Sequence, residues 1–268
     1  DLAIELYEKA ILIKPDFPEA FDNLVFVLKE FDQLEVAINS YQKVIIVNPK
    51  LAQAHHNLGL VLQLSGQNEE AIKCYEKAIS LKHAYPTAHN NLGLIFLGKD
   101  QVKSAVKCFE WAVAYSPEYF EGHNSLGAGL QELKQFDQAK EQFEKAVSLN
   151  PNYAQAFHNL GILSEILNLP EEALEHYKTV VSINPKFAEA YRNLSKLKKF
   201  NAALECYDKS LGIEPNDRIV MVNKISLFRK TGKTSEAIEV CDKLLEKNSD
   251  ELIVLYHKLR LLKKLNHK

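Results

Sequence analysis

Charge of one sign, cysteine and long apolar runs are all scarce in this sequence. Basic and acidic residues nearly balance, 33 against 35 for a net charge of −2, so no field marks nucleic acid or an anionic membrane as the main partner. Runs such as Val44-Ile45-Ile46-Val47 end far short of the ~18 apolar residues that read as a membrane-crossing helix. Four cysteines in 268 residues do not make a secreted disulfide scaffold. Asp1 to Leu12 reads as an amphipathic helix, not a signal peptide. With no Met at its start, the chain is expected to be a fragment or processed form of a larger parent.

Catalytic signatures are missing as well. There is no G-x-G-x-x-G, H-E-x-x-H, EF-hand loop or nucleophile elbow. Gly232-Lys233-Thr234 resembles the end of a phosphate loop, but Leu227 stands where the earlier glycine is required. The triplet also lies where a turn between helices is needed. The expectation is a protein without enzymatic activity, cofactor or metal. Its composition, 46% hydrophobic and 25% charged, is that of an ordinary folded chain and not a disordered one.

What the sequence does contain is repetition. AINSYQKVIIVNP, AIKCYEKAISLKH, AVKCFEWAVAYSP, AKEQFEKAVSLNP and ALEHYKTVVSINP recur every 34 residues. They end at Pro49, His83, Pro117, Pro151 and Pro185, and Pro15 precedes them by the same step. One column holds Ala37, Ala71, Ala105, Ala139 and Ala173; another holds Tyr41, Tyr75, Phe109, Phe143 and Tyr177. Leu-Gly pairs sit at Leu58-Gly59, Leu92-Gly93, Leu126-Gly127 and Leu160-Gly161. Each period holds two segments of helical spacing separated by a polar break such as Ser65-Gly66-Gln67. Small residues let the two helices approach, and aromatics fill the space beside them. A single helical hairpin cannot bury its apolar face, so neighbours must stack and share a core.

This pattern resembles the tetratricopeptide repeat family, over nearly the whole chain. The resemblance implies an all-α fold, a right-handed superhelical solenoid of stacked 34-residue helix–turn–helix units. The expected organisation is a single solenoid over 1–268. It comprises a half repeat at 1–15, units at 16–49, 50–83, 84–117, 118–151, 152–185, 186–215 and 216–249, and a closing helix within 250–268 with Leu252, Leu255, Tyr256, Leu259 and Leu262 on one face. The unit at 186–215 has 30 residues. Either its first helix is about one turn shorter, or residues are absent, which the lack of a turn residue between Lys196 and Ala202 slightly favours.

Histidines recur at His55, His89 and His123, one per repeat. Helix axes in contact lie ~8–10 Å apart, too far for successive members of the column to share a zinc ion at ~2 Å. Phe21, Phe157 and Tyr191 occupy the same column, which points to packing. Cys74 and Cys108 hold equivalent places in adjacent repeats, beyond disulfide reach. With Cys206 and Cys241 they are expected to be free thiols in a reducing, intracellular and cytoplasmic setting.

The first helices of such a solenoid line its concave face, where repeat proteins hold partners. There the column Asn23, Asn57, Asn91, Asn159, Asn193 and Asn223, with Ser125 in the remaining unit, offers amides that both donate and accept. It resembles the asparagine ladder in the repeat superhelix of O-linked N-acetylglucosamine transferases, which implies binding of an extended peptide through its backbone. The alternative is that these amides bond neighbouring helices. Phe26, Leu60, Leu94, Ala128 and Ile162 form an apolar stripe one turn away, and Asp22, His56, Asn90, Asn124, His158 and Arg192 run alongside. The chaperone carboxylate clamp, another use of the family, is not expected, because Arg192 is the one cation in these inner columns.

Trp111, the sole tryptophan, replaces a lysine held elsewhere by Lys43, Lys77, Lys145, Lys209 and Lys243. It is a candidate partner contact on an exposed column. Lys258, Arg260, Lys263, Lys264 and Lys268 make a basic end, read as a solvated face or as a site for an acidic partner. The functional expectation is a protein–protein interaction scaffold. It would bind an extended partner segment in the concave groove or join a multiprotein complex. The alternatives are a substrate-recruiting arm of a glycosyltransferase whose catalytic domain lies outside this chain, or a purely architectural component of a large assembly.

Overall fold

A computed structural model describes residues 34–197, 200–213, 215–246 and 252–266, with five scattered positions before residue 34. The half repeat expected at 1–15 and the first helix of the unit at 16–49 fall essentially outside these residues. Fourteen helices are described: α1 (Leu34–Val47), α2 (Ala52–Leu64), α3 (Asn68–Leu81), α4 (Pro86–Gly98), α5 (Val102–Tyr115), α6 (Phe120–Glu132), α7 (Phe136–Leu149), α8 (Ala154–Ile166), α9 (Pro170–Ile183), α10 (Ala188–Lys196), α11 (Phe200–Ile213), α12 (Arg218–Thr231), α13 (Thr234–Leu245) and α14 (Leu252–Asn266). No strand occurs among the described residues. The chain divides into two compact units, Asp1–Leu149 and Asn150–Lys268.

Inside each unit the helices pack in sequence order. In the first, α2 pairs most closely with α3, α4 with α5 and α6 with α7; in the second, α8 pairs with α9 and α12 with α13. Second helices also pack on the next first helix, as α3 on α4 and α13 on α14, while first helices meet one another at α2/α4, α4/α6 and α12/α14. Within each unit every helix is therefore flanked by its successor, the arrangement a repeat needs to bury both sides of a hairpin.

The sequence columns mark the densest part of this packing. Ala37, Ala71, Ala105, Ala139 and Ala173 are fully buried, and so are Tyr41, Tyr75, Phe109, Phe143 and Tyr177. The glycine of each Leu-Gly pair lies under the aromatic of its own repeat. A Cβ at Gly93 would lie 2.5 Å from Phe109 Cε1, and one at Gly161 would lie 2.4 Å from Tyr177 Cε1. The unit at 216–249 reverses the sizes, with Ile225 in the glycine column and Cys241 in the aromatic column, both fully buried.

The turns between paired helices share one device. Gly66, Asp100, Lys134, Asn168 and Gly232 are all left-handed, with φ between 58° and 79°. In each, that residue's N–H bonds the carbonyl three back and the next N–H bonds the carbonyl five back, as in Gln67 N to Leu62 O at 2.8 Å and Gln135 N to Leu130 O at 2.9 Å. These bonds satisfy the last carbonyls of the first helix and reverse the chain. Pro86 opens α4 at the junction between repeats, and Pro170 opens α9 just after the Asn168 turn, in both cases where an N–H would have no helical partner.

Two features modify the regular scheme. First, α10 has nine residues where α8 has 13, a difference of about one helical turn. Second, α14 rests on the second unit through buried Val254 and Leu261, while Leu252, Leu255, Tyr256, Leu259 and Leu262 are exposed. The apolar face foreseen on this helix is present and uncovered among the described residues.

Candidate partner-binding site

In the first unit the inner columns of α2 and α4 form one hydrogen-bonded network. The Tyr85 hydroxyl donates to Gln53 Oε1 at 2.6 Å, and Gln53 Nε2 donates to Asn57 Oδ1 at 3.3 Å. His56 Nδ1 donates to the same Asn57 oxygen at 3.0 Å. Asn91 Nδ2, from the next repeat, donates to His56 Nε2 at 3.2 Å. These bonds place the His56 proton on Nδ1. The His56 ring lies between two aromatics, Tyr85 at 4.9 Å and Tyr75 at 5.6 Å between centroids.

The second unit repeats the motif. Asn193 Nδ2 donates to His158 Nε2 at 3.2 Å, and Gln155 Nε2 donates to Asn159 Oδ1 at 3.3 Å. His158 lies between Phe187 and Tyr177. In each case an asparagine of one repeat bonds the histidine 35 residues earlier. The tyrosine behind each histidine bonds the end of its first helix, Tyr75 to Gln63 and Tyr177 to Glu165. Burial pushes both phenols well above their ordinary range, and for Tyr177 the bond to Glu165 adds to this.

These contacts locate the sequence-derived residues. Asn23 and Phe26 lie outside the described residues, as does Asp22. Asn57 and Asn193 are buried, while Asn91, Asn159 and Asn223 are half-buried. Asn91 and Asn193 bond neighbouring repeats, the alternative role the sequence left open for the column. His56, Asn90, Asn124 and His158 are buried as well, so this column lies within the helix packing and not along an open edge. Arg192 is exposed and pairs with Glu189. Leu94 is exposed, whereas Leu60, Ala128 and Ile162 are half-buried. Four amide atoms on first helices have no partner among the described residues: Asn57 Nδ2, Asn90 Oδ1 and Gln131 Oε1 in the first unit, and Asn223 Nδ2 in the second.

The other histidine column packs and bonds at once. Nε2 of His55, His89 and His123 lies 3.0, 3.0 and 2.9 Å from the carbonyls of Pro49, His83 and Pro117. The Tyr191 hydroxyl reaches Pro185 O in the same way at 2.9 Å. Each ring thus ties a first helix to the end of the preceding repeat. No group of three or more potential metal ligands converges among the described residues. All four cysteines are free thiols, and burial pushes Cys74 and Cys108 up to about 11, which disfavours the reactive thiolate.

Trp111 is 54% exposed on α5. Its ring stacks on Tyr115, with centroids 5.6 Å apart, and Tyr115 stacks on His89 at the same distance. The lysines of its column, Lys43, Lys77, Lys145, Lys209 and Lys243, are likewise exposed. Among the described residues no helix is long and apolar enough to cross a membrane.

Family models described as TPR repeat match residues 32–66 and 64–100, and others described as tetratricopeptide repeat match 120–153, 143–175 and 192–217. Together they span more than half of the chain. No curated protein matches it. Among solved structures, YrrB, described as a TPR protein with an unusual peptide-binding site, is 25% identical, with 70% of this chain and 97% of that one covered and a TM-score of 0.52. MamA is 23% identical, with coverage of 62% and 97% and a TM-score of 0.54. A chain of the APC/C hetero-tetramer Cut9-Hcn1 is 16% identical over 97% of this chain and 52% of that one, with a TM-score of 0.63. This chain spans about half the length of that last structure. The likeness to MamA and Cut9-Hcn1 is one of fold.

Proposed function

Because the chain belongs to the tetratricopeptide repeat family, we propose that it is a protein–protein interaction scaffold that holds an extended segment of a partner against the first helices of its repeats, or joins a multiprotein complex through them. The observation that carries this reading is the set of apolar positions that the first helices leave open, Leu94 exposed and Leu60, Ala128 and Ile162 half-buried, beside the half-buried amides of Asn91, Asn159 and Asn223. An amide both donates and accepts, and a peptide backbone offers the complementary acceptors and donors. The exposed Leu94, on the same helix as Asn90, supplies an apolar anchor for a partner side chain. The structure of YrrB, with its peptide-binding site, supports protein segments as the ligand class.

Affinity capture with mass spectrometry tests the reading, comparing the wild-type chain with an Asn57/Asn91/Asn159→Ala variant and with Leu94→Ser. Since Leu94 is exposed, its replacement leaves the fold intact. Specific partners are expected to be lost from both variants while far-UV circular dichroism stays unchanged. An unaltered partner list in both would move the binding surface to Trp111, the second helices or the ends.

A further inference from the structure

Lysines on several helices pair with a nearby carboxylate, as in Lys178–Glu175, Lys209–Glu205, Lys224–Asp208, Lys243–Glu239 and Lys258–Asp242. One place in the second unit departs from this. An open cavity of about 370 Å³ lies between α12, the start of α13 and α14, lined by Ser226, Arg229, Lys230, Thr234, Arg260 and Leu261. Three of its six lining residues are cationic and none is acidic. Among the described residues none of the three cations pairs with a carboxylate. The segment 252–268, whose helix α14 forms one wall, carries five lysines and arginines and no aspartate or glutamate.

The cations are held in place by neighbours that do not neutralise them. Arg229 Nη1 lies 2.7 Å from Nδ1 of His257 on α14. That bond requires His257 Nδ1 to be unprotonated, and burial followed by the Arg229 and Arg260 charges pushes the His257 pKa below the ordinary value. Arg260 lies over the Tyr256 ring, 5.7 Å from its centroid. Arg229 retains most of its five N–H donors, and the Ser226 hydroxyl adds a neutral donor. Planar guanidiniums match carboxylates, which they grip through paired hydrogen bonds.

We propose that this cavity binds the carboxylates of an acidic segment of a partner protein. The proposal rests on reading the chain as a holder of protein segments, but it uses none of the amide-column residues, so the two readings can fail separately. It also assigns the basic end of the sequence a binding role in place of simple solvation.

Fluorescence anisotropy with fluorescein-labelled hexaglutamate tests it, with hexaglutamine as the neutral control. Hexaglutamate is expected to bind and hexaglutamine not to. Lys230→Gln and Arg260→Gln, both on exposed side chains, are each expected to weaken binding severalfold, and together by about tenfold or more. Arg229→Gln is expected to weaken it further, and added salt to weaken it throughout. Lys73→Gln/Lys77→Gln on α3 and Asn57/Asn91/Asn159→Ala are expected to leave it unchanged. Equal binding by the Lys230→Gln/Arg260→Gln variant, or by hexaglutamine, overturns the proposal. So does binding of a phosphoserine peptide or inorganic phosphate under conditions where hexaglutamate does not bind.

Discussion

Gly161→Ile is expected to destabilise the second unit by about 3–5 kcal/mol. The cause is steric: a Cβ at Gly161 would lie 2.4 Å from Tyr177 Cε1 and 2.8 Å from two further atoms of that ring. Tyr177 is fully buried and bonded to Glu165, so the ring has nowhere to retreat. Tyr177→Cys alone is expected to cost a similar amount through the cavity it leaves. The unit at 216–249 shows how the two changes compensate, since Ile225 and Cys241 fill the same pair of columns and are both fully buried. Gly161→Ile/Tyr177→Cys is therefore expected to be less destabilised than the sum of its parts by more than ~1 kcal/mol. Urea unfolding checks the totals, and hydrogen exchange in α8 and α9 localises them, because repeat arrays open in pieces. Strict additivity would show that the two columns do not face the same space.

The second large effect concerns the asparagine–histidine bonds. Asn193→Ala is expected to cost about 1–3 kcal/mol, because it leaves His158 Nε2 buried without its donor. Asn91→Ala should cost a similar amount in the first unit through His56. Adding His158→Phe to Asn193→Ala is expected to recover part of the loss, since a phenyl ring keeps the stacking against Tyr177 and Phe187 but has no acceptor to satisfy. Thermal unfolding of the three variants separates the outcomes. If Asn193→Ala matches the wild type, the bond adds nothing to stability and the amide is available to a ligand.

The repeat itself is legible in the sequence because its steric demands fall on fixed columns. Glycine and alanine stand where helices touch, and one aromatic per repeat fills the gap, so a 34-residue period shows in the letters. The turns are less visible. Gly66 announces its left-handed conformation, but Asp100, Lys134 and Asn168 adopt the same one without an identity in common. There the flanking helices impose the geometry.

The inner face departs from its sequence reading in one respect. His56, Asn90, Asn124 and His158 read as the edge of a groove, yet they are buried. Beside the histidines stands a further column of the same period, Tyr85, Tyr119, Tyr153 and Phe187, two residues beyond the closing proline or histidine. Tyr85 and Phe187 each lie against a histidine at 4.9 Å. That aromatic column, taken together with the histidines, is the sequence signal for the brace. The three-cation cavity is legible only in part: Arg260 belongs to the basic end of the sequence, whereas Arg229 and Lys230 come from another helix and fall outside the regular columns.

The central claim is that partners lie against the first helices. Photo-crosslinking tests it most directly, with a benzophenone amino acid placed singly at Leu94, Ile162, Trp111 or Lys145. Leu94 and Ile162 belong to the inner apolar stripe, and Trp111 and Lys145 to the outer column. Crosslinks to a partner from Leu94 in the first unit or from Ile162 in the second, with little from Lys145, are the expected result. Crosslinks confined to Trp111 and Lys145 would contradict the account and place the binding surface on the second helices.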